Sequence, residues 1–460
     1  MVKEWNQTRI SEVLSIEYPI IQGPLGGFSS QKLTAAVSNF GGLGSFGAHG
    51  LEPFAIEDVI AEIRSLATKP FAMNLWVSME DAGARTSDPA AFRRALSHLS
   101  PHIEAVSGTH PSFAPYKHIR FEDQARVLLD ANVPAFSFIF GIPPKEIMDE
   151  ARRKGIVTLG TATTPDEAIA LEQAGTDIVV ASGFEAGGHR GSFLRSPEDS
   201  LFGTFSLVPQ TVDAVKIPIV AAGGIADARG IVAAFDLGAE GVQMGTVFLA
   251  CEESGAHSLH REALLSGEAG RTALTRGFTG RLARGIDNGL LRMMNMSDIE
   301  ILPYPLQRHL MRNLAVPAQK AGRADLLALW AGQSANLVRC PRISELLQSL
   351  VDGVAKQFHH VRQALAQTIG WSRESTTLLS SVGTRFKMIQ ELSRHSCLQS
   401  TSNVYTEVIK SAPNKPFGMC AGRTGFESQP LRVPLPPGFH KHRDRSYAIS
   451  AATQRFKFEG

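Results

Sequence analysis

The residues best placed to do chemistry are a histidine and a glutamate in one glycine-rich stretch. His189 and Glu185 lie within residues 183–191, GFEAGGHRG, directly after the β-branched run at residues 178–181. This run has the length and composition of a buried strand, and glycine lets the following chain turn tightly beside a ligand. Parallel α/β enzymes carry catalytic groups on such loops. We therefore take His189 as the candidate active-site residue and expect Glu185 to brace the loop.

Histidine suits this position because its pKa lies near neutrality. An imidazole can donate a hydrogen bond to an anion or take a proton from a carbon acid. His49 and His110 also fall on predicted loops, but no pattern around them indicates a site. A lone loop histidine is more often a surface residue, so the assignment of His189 depends on the elements that position it.

Eight short apolar segments have the character of strands and are mostly separated by helical patterns. They occupy residues 18–23, 41–46, 71–77, 133–140, 156–160, 178–181, 217–222 and 241–244. Eight strand–helix repeats predict an α/β fold of the (β/α)₈ barrel type, and an open doubly wound sheet is the structural alternative. Helix starts are expected at Ser30 and at Thr164-Pro165, where capping residues precede apolar periodicity.

One connection is longer than a barrel repeat needs. Residues 78–133 contain helical patterns at 90–99 and 121–130, and residues 103–106 could form a strand. Because most βα connections are short, we interpret the whole region as an insertion.

The chain divides into three predicted parts. Residues 1–250 should form the barrel, residues 251–352 a helical subdomain that closes its mouth, and residues 353–460 a basic, partly disordered extension. From residue 353 onward there are 15 Lys and Arg against 6 Asp and Glu, a net charge of +9, which leaves −7 for residues 1–352. The extension carries no recognisable nucleic-acid motif.

Composition excludes several classes of protein. Hydrophobic residues make up 43% of the chain and charged residues 20%, as in a globular protein with a sizeable core. A net charge of +2 gives no bulk field for nucleic acid or membrane. The four cysteines form no paired or His-spaced cluster, so neither a metal site nor a disulfide framework is expected. With no signal-type or membrane-spanning apolar run, we expect a soluble, cytoplasmic protein; a homodimer stays open.

Two glycine turns follow the seventh and eighth predicted strands. They are Ala222-Gly223-Gly224-Ile225 and Met244-Gly245-Thr246. In barrels of this kind, the main-chain N–H groups of these two loops commonly bind phosphate, and a helix start near Asp227 would add a favourable dipole. The turns therefore favour a phosphorylated cofactor such as FMN. No GxGxxG motif with a following acid stands in a dinucleotide-binding context.

The chain from about residue 18 to 337 resembles the nitronate monooxygenases, formerly called 2-nitropropane dioxygenases. The matching motifs are IIQGPLGG at 20–27, PFAMNLWV at 70–77, GFEAGGHRGSF at 183–193, PIVAAGGIAD at 218–227, GVQMGT at 241–246 and LWAGQSANL at 329–337. The resemblance implies an FMN-bound barrel that oxidises alkyl nitronates with O₂ to a carbonyl compound and nitrite. It does not extend to the basic C-terminal part.

The resemblance also implies roles for individual residues, with His189 matching the active-site histidine. Residues expected at the flavin ring or ribityl chain are Gln22, Gly23, Asn74 and Gly187, and those expected at the phosphate end are Gly224, Gln243, Met244, Gly245 and Thr246. One position departs from the pattern, because Ser182 stands where many members carry a longer Gln. We expect Ser182 near the flavin, with one hydrogen bond lost or bridged by water.

Two other functions compete with this interpretation. An NAD(P)H-dependent FMN reductase acting on a quinone or an enoyl thioester would share the barrel and the flavin site. A flavin-binding scaffold, whose basic tail recruits a partner, would hold flavin without turnover. Reduction of the flavin by NADH or NADPH, as opposed to reduction by a nitronate, separates the three.

Overall fold

The eight predicted strands close into a parallel barrel. The computed structural model describes residues 5–86, 89–113 and 119–368, all within one compact unit. The barrel strands are β1 (Ile20–Gln22), β2 (Gly44–Gly47), β3 (Phe71–Trp76), β4 (Ala135–Ile139), β5 (Val157–Ala162), β6 (Ile178–Ser182), β8 (Ile219–Ala222) and β9 (Gly241–Met244). A further short strand, β7 (Gly188–His189), leaves the barrel after β6.

Hydrogen bonding runs around the whole barrel. The strand order is β1-β9-β8-β6-β5-β4-β3-β2, with every neighbouring pair parallel. Leu43, just before β2, closes the ring: its N–H donates to Ile20 O at 3.0 Å, and its carbonyl accepts from Gln22 N at 2.9 Å. The (β/α)₈ prediction is therefore confirmed, and the open sheet is excluded.

Helices surround the barrel and cover its mouth. They are α1 (Arg9–Leu14), α2 (Gln31–Phe40), α3 (Pro53–Leu66), α4 (Pro89–Val106), α5 (Phe121–Asp130), α6 (Lys145–Arg153), α7 (Pro165–Gln173), α8 (Thr204–Ala214), α9 (Ala228–Asp236), α10 (Thr246–Leu249), α11 (Ser258–Leu265), α12 (Gly289–Met294), α13 (Leu306–Lys320) and α14 (Ile343–Thr368). Both predicted helix starts hold, because the side chains of Ser30 and Thr164 accept hydrogen bonds from the N–H groups of Leu33 and Glu167.

Strand side chains alternate between two apolar layers, as the pleat requires. In β6, Ile178 and Val180 point into the barrel, while Val179 and Ala181 pack against the surrounding helices. In β3, Ala72 points inward and Met73 outward. This alternation decides which residue at the end of each strand reaches the mouth.

Three features differ from the sequence expectations. Residues 103–106 belong to α4 and are not a strand, and α5 is the ordinary crossover helix between β3 and β4. The region after residue 251 is not wholly helical, because β10 (Thr272–Thr275) and β11 (Ala283–Ile286) form an antiparallel sheet with β7. The final helix, α14, continues beyond residue 351 to Thr368. The part of the predicted basic extension that follows residue 368 lies outside the described residues.

Candidate active site

A cavity of about 880 Å³ opens at the carboxyl ends of the barrel strands. All eight strands or the turns directly after them contribute to its lining, through Gly23, Gly47, Asn74, Ile139, Thr161, Ser182, Ala222 and Gln243. This volume lies within the roughly 300–1,000 Å³ that small-molecule sites occupy. Active sites of such barrels lie at this same face.

Most of the sequence-predicted site residues meet in this cavity. The lining includes Gly23, Asn74, Ser182, Gly187, His189, Gly224, Gln243, Gly245 and Thr246. Asn74 shares the inward face of β3 with Ala72, and Ser182 shares that of β6 with Val180. The amide of Asn74 is fixed by a 2.9 Å hydrogen bond from its Nδ2 to Ser137 Oγ.

Gln22 and Met244 do not line the cavity, because each stands on the outward face of its strand. Gln22 has the orientation opposite to Ile21, and its buried side chain donates to Gly23 O and accepts from Ser45 N at 2.9 Å. Met244 is buried among the outer apolar residues, and only its carbonyl reaches toward Gly23, accepting from its N–H at 2.7 Å. Their assignment as cofactor-binding side chains stays a prediction that this geometry does not favour.

His189 is held by the antiparallel sheet over the barrel mouth. It pairs with Ala283 of β11, and its Nε2 lies 2.9 Å from Thr279 Oγ1. Because the single hydroxyl hydrogen of Thr279 can be donated to Arg281 O at 3.2 Å, we infer that Nε2–H of His189 donates to Thr279 Oγ1. Nδ1 of His189 has no hydrogen-bond partner among the described residues and is not buried, and it therefore presents a lone pair to the cavity.

Aromatic rings and two guanidinium groups surround His189. Its ring centroid lies 5.0 Å from Trp76, 5.5 Å from Trp330 and 6.4 Å from Phe140. Burial, and then the positive charges of Arg281 and Arg308, lower the pKa of His189 to about 3. The imidazole is therefore neutral at physiological pH.

Arg281 is a fixed cation behind this aromatic cluster. Its Nε lies 2.8 Å from Asp81 Oδ1, and its Nη1 donates to Ser78 O at 2.9 Å. The guanidinium carbon stands 4.3 Å from the ring centre of Phe140 and 4.5 Å from that of Tyr304. Such stacked, ion-paired arginines are rigid, so the positive field at this end of the cavity has a fixed direction.

The two glycine turns come together at the other end of the cavity, beneath residues 331–334. Gly187 packs so closely on this segment that an added Cβ would lie 2.6 Å from Gly332 N. Gly332 N donates to Thr246 Oγ1 at 3.0 Å, and Ser334 Oγ donates to Gly224 O at 2.6 Å. Gly224 has a φ of +72°, a conformation that favours glycine.

Main-chain donors at this end have no protein partner. Within the described ranges, the N–H groups of Gly224, Gly245 and Thr246 donate to no protein acceptor. The helix start at Asp227 is different, because its side chain already accepts from Arg229 N at 2.9 Å and Gly230 N at 3.4 Å. The available donors are therefore those of the glycine turns and not those of α9.

Glu185 and Arg190 hold the loop that carries His189. The Glu185 carboxylate accepts from Thr204 N at 2.9 Å and from its hydroxyl at 3.0 Å, which is the bracing role expected of it. Arg190 is 1% exposed and donates to the carbonyls of Ser182, Gly183 and Ser200 at 2.7–3.0 Å. The carboxylate of Glu185 thus faces the start of α8, where it accepts hydrogen bonds from Thr204.

Several residues of the cavity were not identified from sequence, namely His49, Trp76, Thr279, Arg308 and Trp330. Trp76 had a usable signal, because it stands two residues after Asn74 on the same face of β3. His49 lies in a glycine-rich loop after the second strand, where barrel enzymes place functional groups, but no sequence pattern around it indicates a site. The other three had no such signal. His110 is a surface residue whose Nε2 lies 3.3 Å from Glu104.

Residues 5–86, 89–113 and 119–368 contain neither a candidate metal cluster nor a candidate membrane-spanning helix. No group of three or more His, Cys, Asp or Glu side chains there could hold a metal ion. No helix in the same ranges is long and apolar enough to span a bilayer.

Comparisons with known proteins agree with this architecture. The family model for nitronate monooxygenase matches residues 7–353. A probable nitronate monooxygenase of Staphylococcus haemolyticus is 41% identical over 352 residues, which are 76% of this chain and 98% of that protein. A structure of nitroalkane oxidase from Streptomyces ansochromogenes is 38% identical with a TM-score of 0.70, covering 77% of this chain and 99% of the other. The FabK structure from Thermotoga maritima is 28% identical with a TM-score of 0.61, covering 78% and 99%. The chain belongs to the nitronate monooxygenase family.

Proposed function

We propose that the protein oxidises alkyl nitronates, and the nitroalkanes from which they form, with O₂ and a bound FMN, giving a carbonyl compound and nitrite. The observation that supports this proposal most strongly is the neutral His189. Its Nδ1 lone pair faces a cavity that has unpartnered main-chain donors at its other end. Family membership supports the reaction class. When bound, FMN supplies the electron acceptor for the substrate and the electron donor for O₂.

The described residues fit an FMN molecule along the cavity. A phosphate group needs several N–H donors, which Gly224, Gly245 and Thr246 offer, and the Thr246 hydroxyl can add another. Asn74, Gln243 and Ser182 line the middle of the cavity and would contact the ribityl chain or the polar edge of the ring. Any added Cβ at Gly224 would point toward Glu185, at 3.4 Å from its Cβ.

At the substrate end, His189 acts as the base for a neutral nitroalkane. Its bond to Thr279 keeps the proton on Nε2 and the lone pair on Nδ1, the tautomer required to accept an α-proton. Burial and the nearby guanidinium groups oppose protonation of His189. Deprotonation of the substrate creates a nitronate anion beside the new imidazolium, and their attraction offsets that penalty. A preformed nitronate is already anionic and does not need this step.

The positive field at this end suits an anion. Arg281 lies behind the aromatic rings, and Arg308 lines the cavity itself. Both charges stabilise a nitronate more than a neutral nitroalkane. Trp76, Trp330 and Phe278 supply apolar surface for the alkyl part of a substrate.

The decisive experiment combines a spectrum with nitrite release. Purified protein should show flavin absorption, and it should release nitrite from ethylnitronate and nitroethane in air. His189→Asn should retain flavin, lose nearly all turnover of nitroethane, and keep a larger part of its turnover of ethylnitronate. His110→Asn is the matched control, because it removes a surface histidine. A His189→Asn variant as fast as the parent on both substrates would contradict the assigned role, and folded protein that refuses added FMN would contradict the function.

The same preparation tests the reductase alternative. Under anaerobic conditions, rapid bleaching of the flavin by NADH or NADPH would favour a reductase of quinones or enoyl thioesters. Bleaching by a nitronate, with no rapid reaction with either nucleotide, is the result that our proposal expects.

A further inference from the structure

His49, the loop histidine that follows β2, occupies a position that the proposed reaction has not yet used. Its ring is stacked on Trp76, with centroids 3.8 Å apart and planes 10° from parallel. The residue is 7% exposed and lines the cavity. The imidazole of His49 thus stacks on the face of Trp76, and the imidazole of His189 lies 5.0 Å from the Trp76 ring in an edge-on geometry.

The two nitrogens of His49 have different surroundings. Nδ1 is buried and has no hydrogen-bond partner. Nε2 also makes no hydrogen bond within the described residues, but it is not among the buried atoms, so it opens onto the cavity.

These surroundings select one tautomer of His49. Burial, and then the charge of Arg308, hold the pKa of His49 well below its usual value, so the ring is neutral and carries a single N–H. Placing that hydrogen on Nδ1 would bury a donor without an acceptor, which folded proteins rarely tolerate. Placing it on Nε2 directs the donor into the cavity, where a ligand or water can accept it.

The tautomers of the two cavity histidines are therefore complementary. His189 presents a lone pair, fixed by Thr279, and His49 presents an N–H. We propose that His49 is a second substrate-contacting residue, whose Nε2–H donates a hydrogen bond to an oxygen of the nitronate or nitro group. This inference rests on the proposed function, since it requires a substrate with such an oxygen. His49 then binds the substrate in the oxidation of both nitronates and nitroalkanes, whereas His189 acts as a base only with nitroalkanes.

The test uses two amide variants that differ in reach. The amide of His49→Gln can extend to the place of Nε2 and restore a donor there, whereas that of His49→Asn ends near the place of Nδ1. A hydrogen bond to a charged group contributes about 1.5–3 kcal/mol, so we expect kcat/KM for ethylnitronate to fall about 10- to 150-fold in His49→Asn. His49→Gln should recover most of that loss. The His110→Asn control should match the parent.

A binding measurement separates substrate contact from flavin contact. Nitrite, the product anion, can be titrated into the oxidised holoprotein while the flavin spectrum is followed. The dissociation constant for nitrite should rise at least tenfold in His49→Asn and return toward the parent value in His49→Gln, with flavin content equal in all three proteins. Equal nitrite affinity, or loss of flavin in His49→Asn with recovery in His49→Gln, would overturn the proposal, the second by making His49 a flavin ligand.

The tautomer can be observed without any activity. In protein labelled with ¹⁵N-histidine, the signals lost in His49→Gln identify His49, and their shifts in the parent report which nitrogen is protonated. An Nε2–H form supports the proposal, and an Nδ1–H form refutes it, even if His49→Asn does not fold. A parent protein that releases no nitrite from ethylnitronate refutes the proposed function instead, so the two failures are distinguishable.

Discussion

The hydroxyl of Thr279 should control which nitrogen of His189 carries the proton. Thr279→Val keeps the shape of the side chain but replaces the oxygen 2.9 Å from Nε2 with a methyl group. The Nε2–H of His189 then faces an apolar group where an oxygen acceptor stood. The ring can relieve this by moving its proton to Nδ1, which removes the lone pair from the cavity.

The size of the effect follows from the cost of an unsatisfied donor. Leaving a buried N–H without an acceptor costs about 1–3 kcal/mol, so the base-competent tautomer should become about 5- to 150-fold less populated. We expect kcat/KM for nitroethane to fall by roughly that factor. Ethylnitronate needs no base, and its kcat/KM should change by less than about threefold. The lost hydrogen bonds should also lower the free energy of unfolding by about 1 kcal/mol.

The assay is nitrite release in air, with nitroethane and preformed ethylnitronate as parallel substrates. Measurements near neutral pH keep most of the nitroethane undissociated. Thr279→Ser is the matched control, because it retains the hydroxyl and should behave like the parent. Equal losses on both substrates, or equal behaviour of the Val and Ser variants, would refute the argument that Thr279 acts by fixing the tautomer of His189.

Three further predictions concern the cofactor site, the loop and the effect of acid. Gly224→Val should lower the flavin content of purified protein, because it places a branched side chain at φ +72° beside the phosphate end. Gly155→Val is the control: its φ is +68° and open space surrounds it, so this variant should strain the chain equally and keep its flavin. Arg190→Met should lower the free energy of unfolding by about 3–5 kcal/mol, measured in urea, because it removes the buried hydrogen bonds from the guanidinium to three main-chain carbonyls. The pKa of His189 is about 3 and that of His260 about 4 in the folded protein, both depressed first by burial. Since the unfolded values lie near 6.5, the unfolded chain binds more protons between these limits. The urea midpoint should therefore be highest above about pH 6.5 and fall toward pH 4. His260→Gln should reduce this fall, and an unchanged slope would contradict the assignment.

The barrel could be predicted from sequence because its strands are buried on both faces. Several of them, such as residues 178–181 and 219–222, read as short continuous apolar runs, and eight strand-like segments mostly separated by helical patterns leave few alternatives. The small sheet over the mouth could not be found in this way. Its strands Thr272–Thr275 and Ala283–Ile286 are short and mix polar with apolar residues, and only the second of them pairs with the two residues of the glycine loop. The apolar run at 103–106 is equally compatible with helix and strand, and its continuation of α4 decides for helix.

Strand alternation explains which of the predicted site residues line the cavity and which do not. Asn74 and Ser182 share the inward face of their strands with Ala72 and Val180, so they reach the cavity. Gln22 lies one residue out of step, and its side chain turns to Ser45 instead. A motif match does not show which residues face the cavity, because one motif contains residues from both faces of a strand. The two-residue period of a strand separates them once the inward face is known.

The chemistry of the site depends on contacts that span long distances in sequence. Thr279 orients His189 across 90 residues, and His49 meets the same cluster through its stacking on Trp76. Each imidazole is neutral because it is buried beside arginines, yet the hydrogen bond available to one and the missing partner of the other give them opposite tautomers. Composition and spacing could identify histidines, but not tell an acceptor from a donor. That distinction depends on whether each ring nitrogen has a hydrogen-bond partner, and in the proposed reaction it decides which histidine removes a proton and which binds the resulting anion.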